Sequence, residues 1–164
     1  MPAARTYEPI ATTTLGSSQA NVTFSSLGSY TDLVLVINSK STVNDDIYLQ
    51  FNNDTGGNYS STWVRGTGSA ASSVRVSNTT GMRLSDQGSP TTTNDTTSII
   101  QIMNYGNAST YKTVLARSNN SSVGLEAVVG LWRSTSAITS IKIYLGSGSW
   151  ASAGTFTIYG ITAA

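Results

Sequence analysis

Few side chains in this sequence could do covalent or acid–base chemistry. Its 164 residues contain no histidine and no cysteine, only two glutamates (Glu8 and Glu126) and six aspartates. The commonest general base, the commonest metal ligand and the thiol nucleophile are all missing. Hydroxyls are abundant, since serine and threonine make up 50 residues, but a serine nucleophile needs a base beside it. Lys40, Lys112 and Lys142 could serve formally, yet no spacing pattern ties any of them to a serine. Glycoside hydrolysis needs two carboxylates flanking one bond. Asp45 and Asp46 are adjacent and would point to opposite faces of a strand, Glu126 stands alone in its strand, and Asp54 and Asp86 read as turn formers. The expectation is a protein without catalytic function.

Ligand sites fare no better. Asn52-Asn-Asp54-Thr-Gly56 has the outline of a calcium loop but lacks the spaced acidic residues and the bidentate glutamate. A hairpin turn accounts for the same residues. Zinc, copper and iron have no ligand set, and no glycine-rich strand-to-helix junction with a lysine could cradle phosphate. No cofactor or metal is expected. Eight Asn-x-Ser/Thr triplets occur, a number that this much Asn, Ser and Thr produces by chance. The three tryptophans, Trp63, Trp132 and Trp150, are the remaining candidates, because exposed rings stack on sugars while buried ones fill cores or subunit seams. Trp132 ends an apolar run and is expected inside. Trp150 follows the Gly146-Ser-Gly-Ser149 turn and is expected at an exposed loop or interface.

The elements that must position these residues are strands. Apolar side chains alternate with polar ones almost everywhere, and no window shows the 3.6-residue period of a helix. Val22 and Phe24, then Leu33, Leu35 and Ile37, then Ile47, Leu49 and Phe51 mark the first half. Val74 and Val76, Met82 to Leu84, Ser98 to Asn104, Tyr111 to Arg117, Val123 to Arg133, Ile141 to Leu145 and Phe156 to Tyr159 follow. In the longest of these, Val123, Leu125, Ala127, Val129 and Leu131 share one face, so Glu126 on the opposite face is expected toward solvent or a subunit neighbour. Asn- and Gly-rich turns separate the runs. About ten short strands at such spacing predict an all-β protein, a β-sandwich or barrel. Residues 1–9 read as an extended N-terminal arm and residues 10–164 as a single sandwich domain. The polar stretch from Ser85 to Thr97 is expected to be a long, mobile connection.

Charged residues are only 10% of the chain and the net charge is +1, with nine basic residues scattered singly. Nucleic-acid binding would call for a basic stripe, and no apolar run is long enough to span a membrane. The opening Met1-Pro-Ala-Ala-Arg-Thr has no apolar stretch of signal-peptide length, so secretion by that route is not expected. So weakly charged a surface favours assembly with a partner.

Four stretches carry a resemblance: Ala11-Thr-Thr-Thr-Leu-Gly-Ser-Ser18 with Val22 to Val36, Ile47 to Ser60, Gly130-Leu-Trp-Arg-Ser134, and Gly154-Thr-Phe-Thr-Ile-Tyr-Gly-Ile161. In that order, they resemble bacteriophage virion structural proteins of the head-decoration (cement) and tail-fibre-module type. The resemblance covers nearly the whole chain, and its motifs are structural. It implies an all-β, antiparallel, jelly-roll-like β-sandwich, assembled in the bacterial cytoplasm and carried on the virion. A cement protein would bind the major capsid protein and itself, as a homotrimer matching threefold positions of the head. The alternative, a tail-fibre or receptor-binding module, would recognise host-surface carbohydrate through an exposed ring such as Trp63 or Trp150. The sequence lacks a separate attachment domain and a repetitive shaft, which fits the decoration role better. Pro2, Arg5 and Tyr7 in the arm, with Trp150, are the expected partner contacts.

Overall fold

The computed structural model describes residues 6–162, and within them the chain is all-β with no helix. Twelve strands form, against about ten expected: β1 (Tyr7–Thr14), β2 (Asn21–Ser25), β3 (Asp32–Ser39), β4 (Ile47–Phe51), β5 (Tyr59–Gly66), β6 (Ala71–Thr79), β7 (Met82–Arg83), β8 (Thr96–Ile102), β9 (Lys112–Asn120), β10 (Gly124–Trp132), β11 (Ser140–Leu145) and β12 (Thr155–Ile161). Eight of them form one sheet in the order β1-β12-β3-β8-β9-β10-β5-β6, and four form a second in the order β2-β11-β4-β7. Every pairing is antiparallel.

The alternation read from the sequence becomes alternation of burial. Along β9 every second residue from Lys112 to Asn120 is buried and the others are exposed, the signature of one face packed and one solvated. The core lies between the sheets, where Leu33, Leu35, Ile37, Ile100, Ile102 and Ile158 of the large sheet meet Ile47, Leu49, Phe51, Ile141 and Ile143 of the small one. Each such side chain, withdrawn fully from water, contributes about 1.5–3 kcal/mol. One end of the core is aromatic. Trp132 stacks on Tyr59 at 6.3 Å and lies 5.4 Å from Phe51.

Two strands have no counterpart in the sequence reading. In β5 the inward positions are Tyr59, Ser61, Trp63 and Arg65, so hydroxyl and charged residues interrupt the apolar signal. In β1 threonines hide it, and Pro9 sits on an edge strand where its missing N–H costs no ladder bond. As a result Tyr7, Glu8 and Pro9, assigned above to the arm, pair with Ile161, Gly160 and Tyr159 in the large sheet.

The connection after β7 also differs from expectation. Ser85, Gly88, Ser89 and Pro90 are buried. Asn120 Nδ2 donates to Ser89 O at 2.9 Å and Thr96 Oγ1 to Gly88 O at 3.1 Å. This part of the segment is a packed plug across one end of the sandwich rather than a free loop.

The calcium-like stretch is a tight turn, but not the hairpin expected: it carries the chain from β4 in the small sheet to β5 in the large one, and the two strands do not pair. Asn52 and Asn53 take positive φ of 52° and 56°, conformations that Asn tolerates. Asp54 Oδ1 accepts the Gly56 N–H at 2.8 Å.

Candidate functional site

Strand β10 organises the chemistry on both sides of the large sheet, with its faces reversed from expectation. Glu126, Val128, Gly130 and Trp132 point inward; Leu125, Ala127 and Val129 are exposed. Three inward contacts explain the reversal. Gly130 leaves room for the Met82 thioether, which any Cβ there would strike. Trp132 joins the aromatic end of the core. Glu126 meets the plug.

Glu126 is only 2% exposed. Its Oε1 accepts the backbone N–H groups of Asp86 at 2.7 Å and Gly88 at 2.9 Å. Its Oε2 is buried and has no hydrogen-bond partner. Burial pushes the carboxyl up to about 7, with the Gly88 N–H opposing and the nearby Asp46 charge reinforcing the rise.

Around it, Arg65 forms an ion pair with Asp86, and Arg83 pairs with Asp46 and, at 3.7 Å, with Asp86. Arg83 also covers the face of Trp63, 5.0 Å from the ring centroid. Ser89 Oγ donates to Asp46 Oδ1 at 2.8 Å and lies 2.9 Å from Ser85 Oγ. Burial raises the Asp46 carboxyl despite Ser89 and Arg83, which stabilise its charge.

The arrangement can hold a proton near neutrality and can clamp the plug. A shallow cavity of about 200 Å³ opens beside it, with Asp45, Asp46, Asp86 and Ser89 in its walls. Both Asp46 and Asp86 spend their charge on arginine, and Glu126 is not part of that lining. Among the described residues no three acidic side chains are grouped to hold a metal ion.

No serine hydroxyl is hydrogen-bonded to the Nζ of Lys40, Lys112 or Lys142 among the described residues. Lys112 is buried, with Nζ donating to the carbonyls of Thr110 at 2.7 Å and Thr135 at 3.2 Å, and burial lowers its pKa. Lys142 lies 5.0 Å over the Tyr144 ring.

The tryptophans are all interior. Trp63 and Trp132 are 2% exposed and Trp150 is 0% exposed, which corrects the expectation that Trp150 lies at an exposed loop or interface. Its ring meets Phe156 edge-on at 5.0 Å. Its backbone bridges Gln19 and Ser41, so Trp150 closes the end of the core and is unavailable as a partner contact. Trp132 Nε1 donates to Asp54 Oδ2 at 2.7 Å. Of the other expected contacts, Pro2 and Arg5 lie outside the described residues. Tyr7 is 52% exposed and meets Tyr159 edge-on at 6.5 Å. Tyr7 and Trp150 therefore do not form one site.

What the sequence reading missed lies on the outer face of the large sheet. Register places Thr62, Val129, Leu115 and Gln101 in one row, and Val64, Ala127, Arg117 and Ile99 in the next. Leu125 is 63% exposed, Val64 58%, Val129 51% and Leu115 41%. A groove of about 350 Å³ runs between them with Ala127 in its lining, and another of about 320 Å³ continues past Arg117 toward Leu125. The signal was present as the aliphatic face of β10; what misled was the assumption that such a face turns inward.

No protein family model matches the chain, and no curated protein matches it. Among solved structures it is similar to a sucrose-6-phosphate hydrolase from Lactobacillus gasseri, at 11% identity and a TM-score of 0.33. The match covers 88% of this chain but only 28% of that one, and likeness at this level says nothing about activity.

Proposed function

We propose that the chain is a non-catalytic virion structural protein that decorates a phage capsid, bridging neighbouring major capsid subunits as a homotrimer on the outer surface of the head. One observation carries this reading: the exposed apolar patch of Val64, Leu115, Leu125 and Val129 on a rigid sheet, a surface that monomeric soluble proteins seldom leave open. The resemblance to phage decoration proteins supplies the context. Burial of such a patch yields roughly 25 cal/mol per Å² of apolar area, and repetition over a symmetric shell converts modest contacts into durable attachment.

The rival reading, a carbohydrate-binding tail module, placed its stacking ring on Trp63 or Trp150. Both indoles are buried, so that reading loses its two named platforms.

Sedimentation of the purified protein with empty heads, and separately with tails, tests the proposal. Retention on heads alone supports decoration; retention on tails alone overturns it.

A further inference from the structure

The outer face of the large sheet carries an imbalance of charge within its apolar surface. Across β5, β6, β8, β9 and β10 the outward positions include Arg75 and Arg117 and no carboxylate. Arg117 is exposed and borders both grooves, opposite Ala127 on one side and Ile99 on the other. Its nearest carboxylate by sequence, Glu126, points through the sheet to the plug. Neither arginine has a hydrogen bond, ion pair or ring contact within the described residues, whereas Arg65, Arg83 and Arg133 all do. An uncommitted guanidinium amid exposed leucine and valine is a fork of donors waiting for a planar acceptor.

We propose that this face docks a different protein through an apolar surface bearing a carboxylate, which pairs with Arg117 while its apolar neighbours fill the groove over Ala127. The occupant is not a second copy packed through this same face. Two such faces packed against each other would bury Arg75 and Arg117 of both copies with no carboxylate to neutralise them, a costly arrangement. With this face given to another protein, the self-contacts of the proposed trimer fall on other surfaces. A nucleic acid is also a poor match, since two cations amid aliphatic side chains give little phosphate neutralisation. The inference deepens the decoration reading and rests on it for the partner's identity: the carboxylate-bearing surface belongs to the major capsid protein.

The test measures binding of the full chain to DNA-free heads built from the major capsid protein, with tails as a second target. Wild type is compared with Arg117→Glu, Arg117→Lys, Arg117→Gln and Val129→Ser, each at an exposed position where folding is checked by thermal melting. Arg117→Glu should weaken head binding by about 30-fold or more, and Val129→Ser by about 10-fold. Arg117→Lys should stay within about fivefold of wild type, because the charge is kept while the fork is lost. Wild-type binding should weaken as salt rises, and that dependence should flatten in Arg117→Gln.

Wild type bound to heads with all variants equal to it overturns the docking face and leaves the decoration reading intact. Wild type bound only to tails, with the same ranking of variants, overturns decoration and keeps the face. Retention on neither overturns both. If Arg117→Glu or Val129→Ser dissociates an oligomer of the free protein in sedimentation velocity, the occupant is a second copy and the proposal fails. If Arg117→Glu abolishes binding to phosphatidylglycerol vesicles and leaves head binding unchanged, the surface is a lipid-binding one and the proposal likewise fails.

Discussion

Strand β10 carries two environments back to back. Its inward face holds a buried carboxylate, a glycine and a tryptophan, each fitted to one specific neighbour: Glu126 to the N–H groups of Asp86 and Gly88, Gly130 to Met82, and Trp132 to Tyr59, Phe51 and Asp54. Its outward face holds Leu125, Ala127 and Val129, with nothing packed over them. Polarity alone would have assigned the faces the other way round. A glutamate can be buried when a loop supplies donors to it, and aliphatic residues can be left exposed when another molecule covers them. The inner face should therefore govern stability and the outer face association, and substitutions on the two sides of the same strand should separate the two properties.

The strongest separation is expected at Trp132. Replacing it with alanine removes a 98%-buried indole, its stacking on Tyr59 and the hydrogen bond to Asp54. Urea denaturation should show a loss of about 3–5 kcal/mol. A loss below about 1 kcal/mol would mean that the aromatic end of the core is not packed as described. Gly88→Ala comes next. A Cβ there would stand 2.7 Å from the Ser118 carbonyl and 2.8 Å from Glu126 Oε1, so either the plug or the strand must shift. A cost of about 1–3 kcal/mol is expected, with faster hydrogen exchange confined to the 85–90 segment and β10. Uniform exchange across the protein would show that the plug is not held locally.

The contrast between the faces also shows where the sequence could be read and where it could not. Period-two alternation fixed the strand class and ten of the strands, because core positions such as Leu33, Leu35, Ile37, Ile141 and Ile143 follow one another at the spacing that a pleat demands. It could not say which side of β10 is inside, because that depends on residues far away in sequence: Met82 across the core, and Asp86 and Gly88, which turn a glutamate into an interior residue. β5 escaped for a related reason. Its inward Arg65 is held by tertiary context, paired to Asp86. Trp150 was misplaced because a turn of glycine and serine normally marks the surface. Here the chain re-enters the sandwich immediately, pinned by Gln19 and Ser41.

Glu126 links the inner face to pH. Its folded carboxyl is raised from the ordinary 4.5 to about 7, so between those values the folded state binds more protons than the unfolded one. Stability must then fall as pH rises from about 4.5 to about 7 and level off above. Asp46, also raised by burial, adds to the same slope. Asp54 opposes it only in acid: burial there is outweighed by hydrogen bonds from Trp132, Asn58 and Gly56, its carboxyl is lowered, and its contribution is lost as pH falls through that depressed value. Glu126→Gln keeps an acceptor for the plug and removes the charge. Its stability should match that of wild type near pH 5 and exceed it at pH 8, with a flatter profile between. An unchanged slope in the variant would show that Glu126 titrates normally, in contact with water.

The smallest effect is the one that most sharpens the comparison. Val129 sits one residue from Val128 and one from Gly130, on a central strand of an eight-stranded sheet. A position so placed would ordinarily be expected to matter to the fold. Because its side chain is 51% exposed, Val129→Ser removes little buried area from the free protein. The unfolding free energy should therefore change by no more than about 0.5 kcal/mol. What serine gives up in β propensity is partly recovered by easing the exposure of an aliphatic patch. Leu125→Ser, at 63% exposure, should behave the same way. A loss above about 2 kcal/mol from either would place these side chains inside a core. The outer face would then be structural, and the separation of stability from association along β10 would collapse.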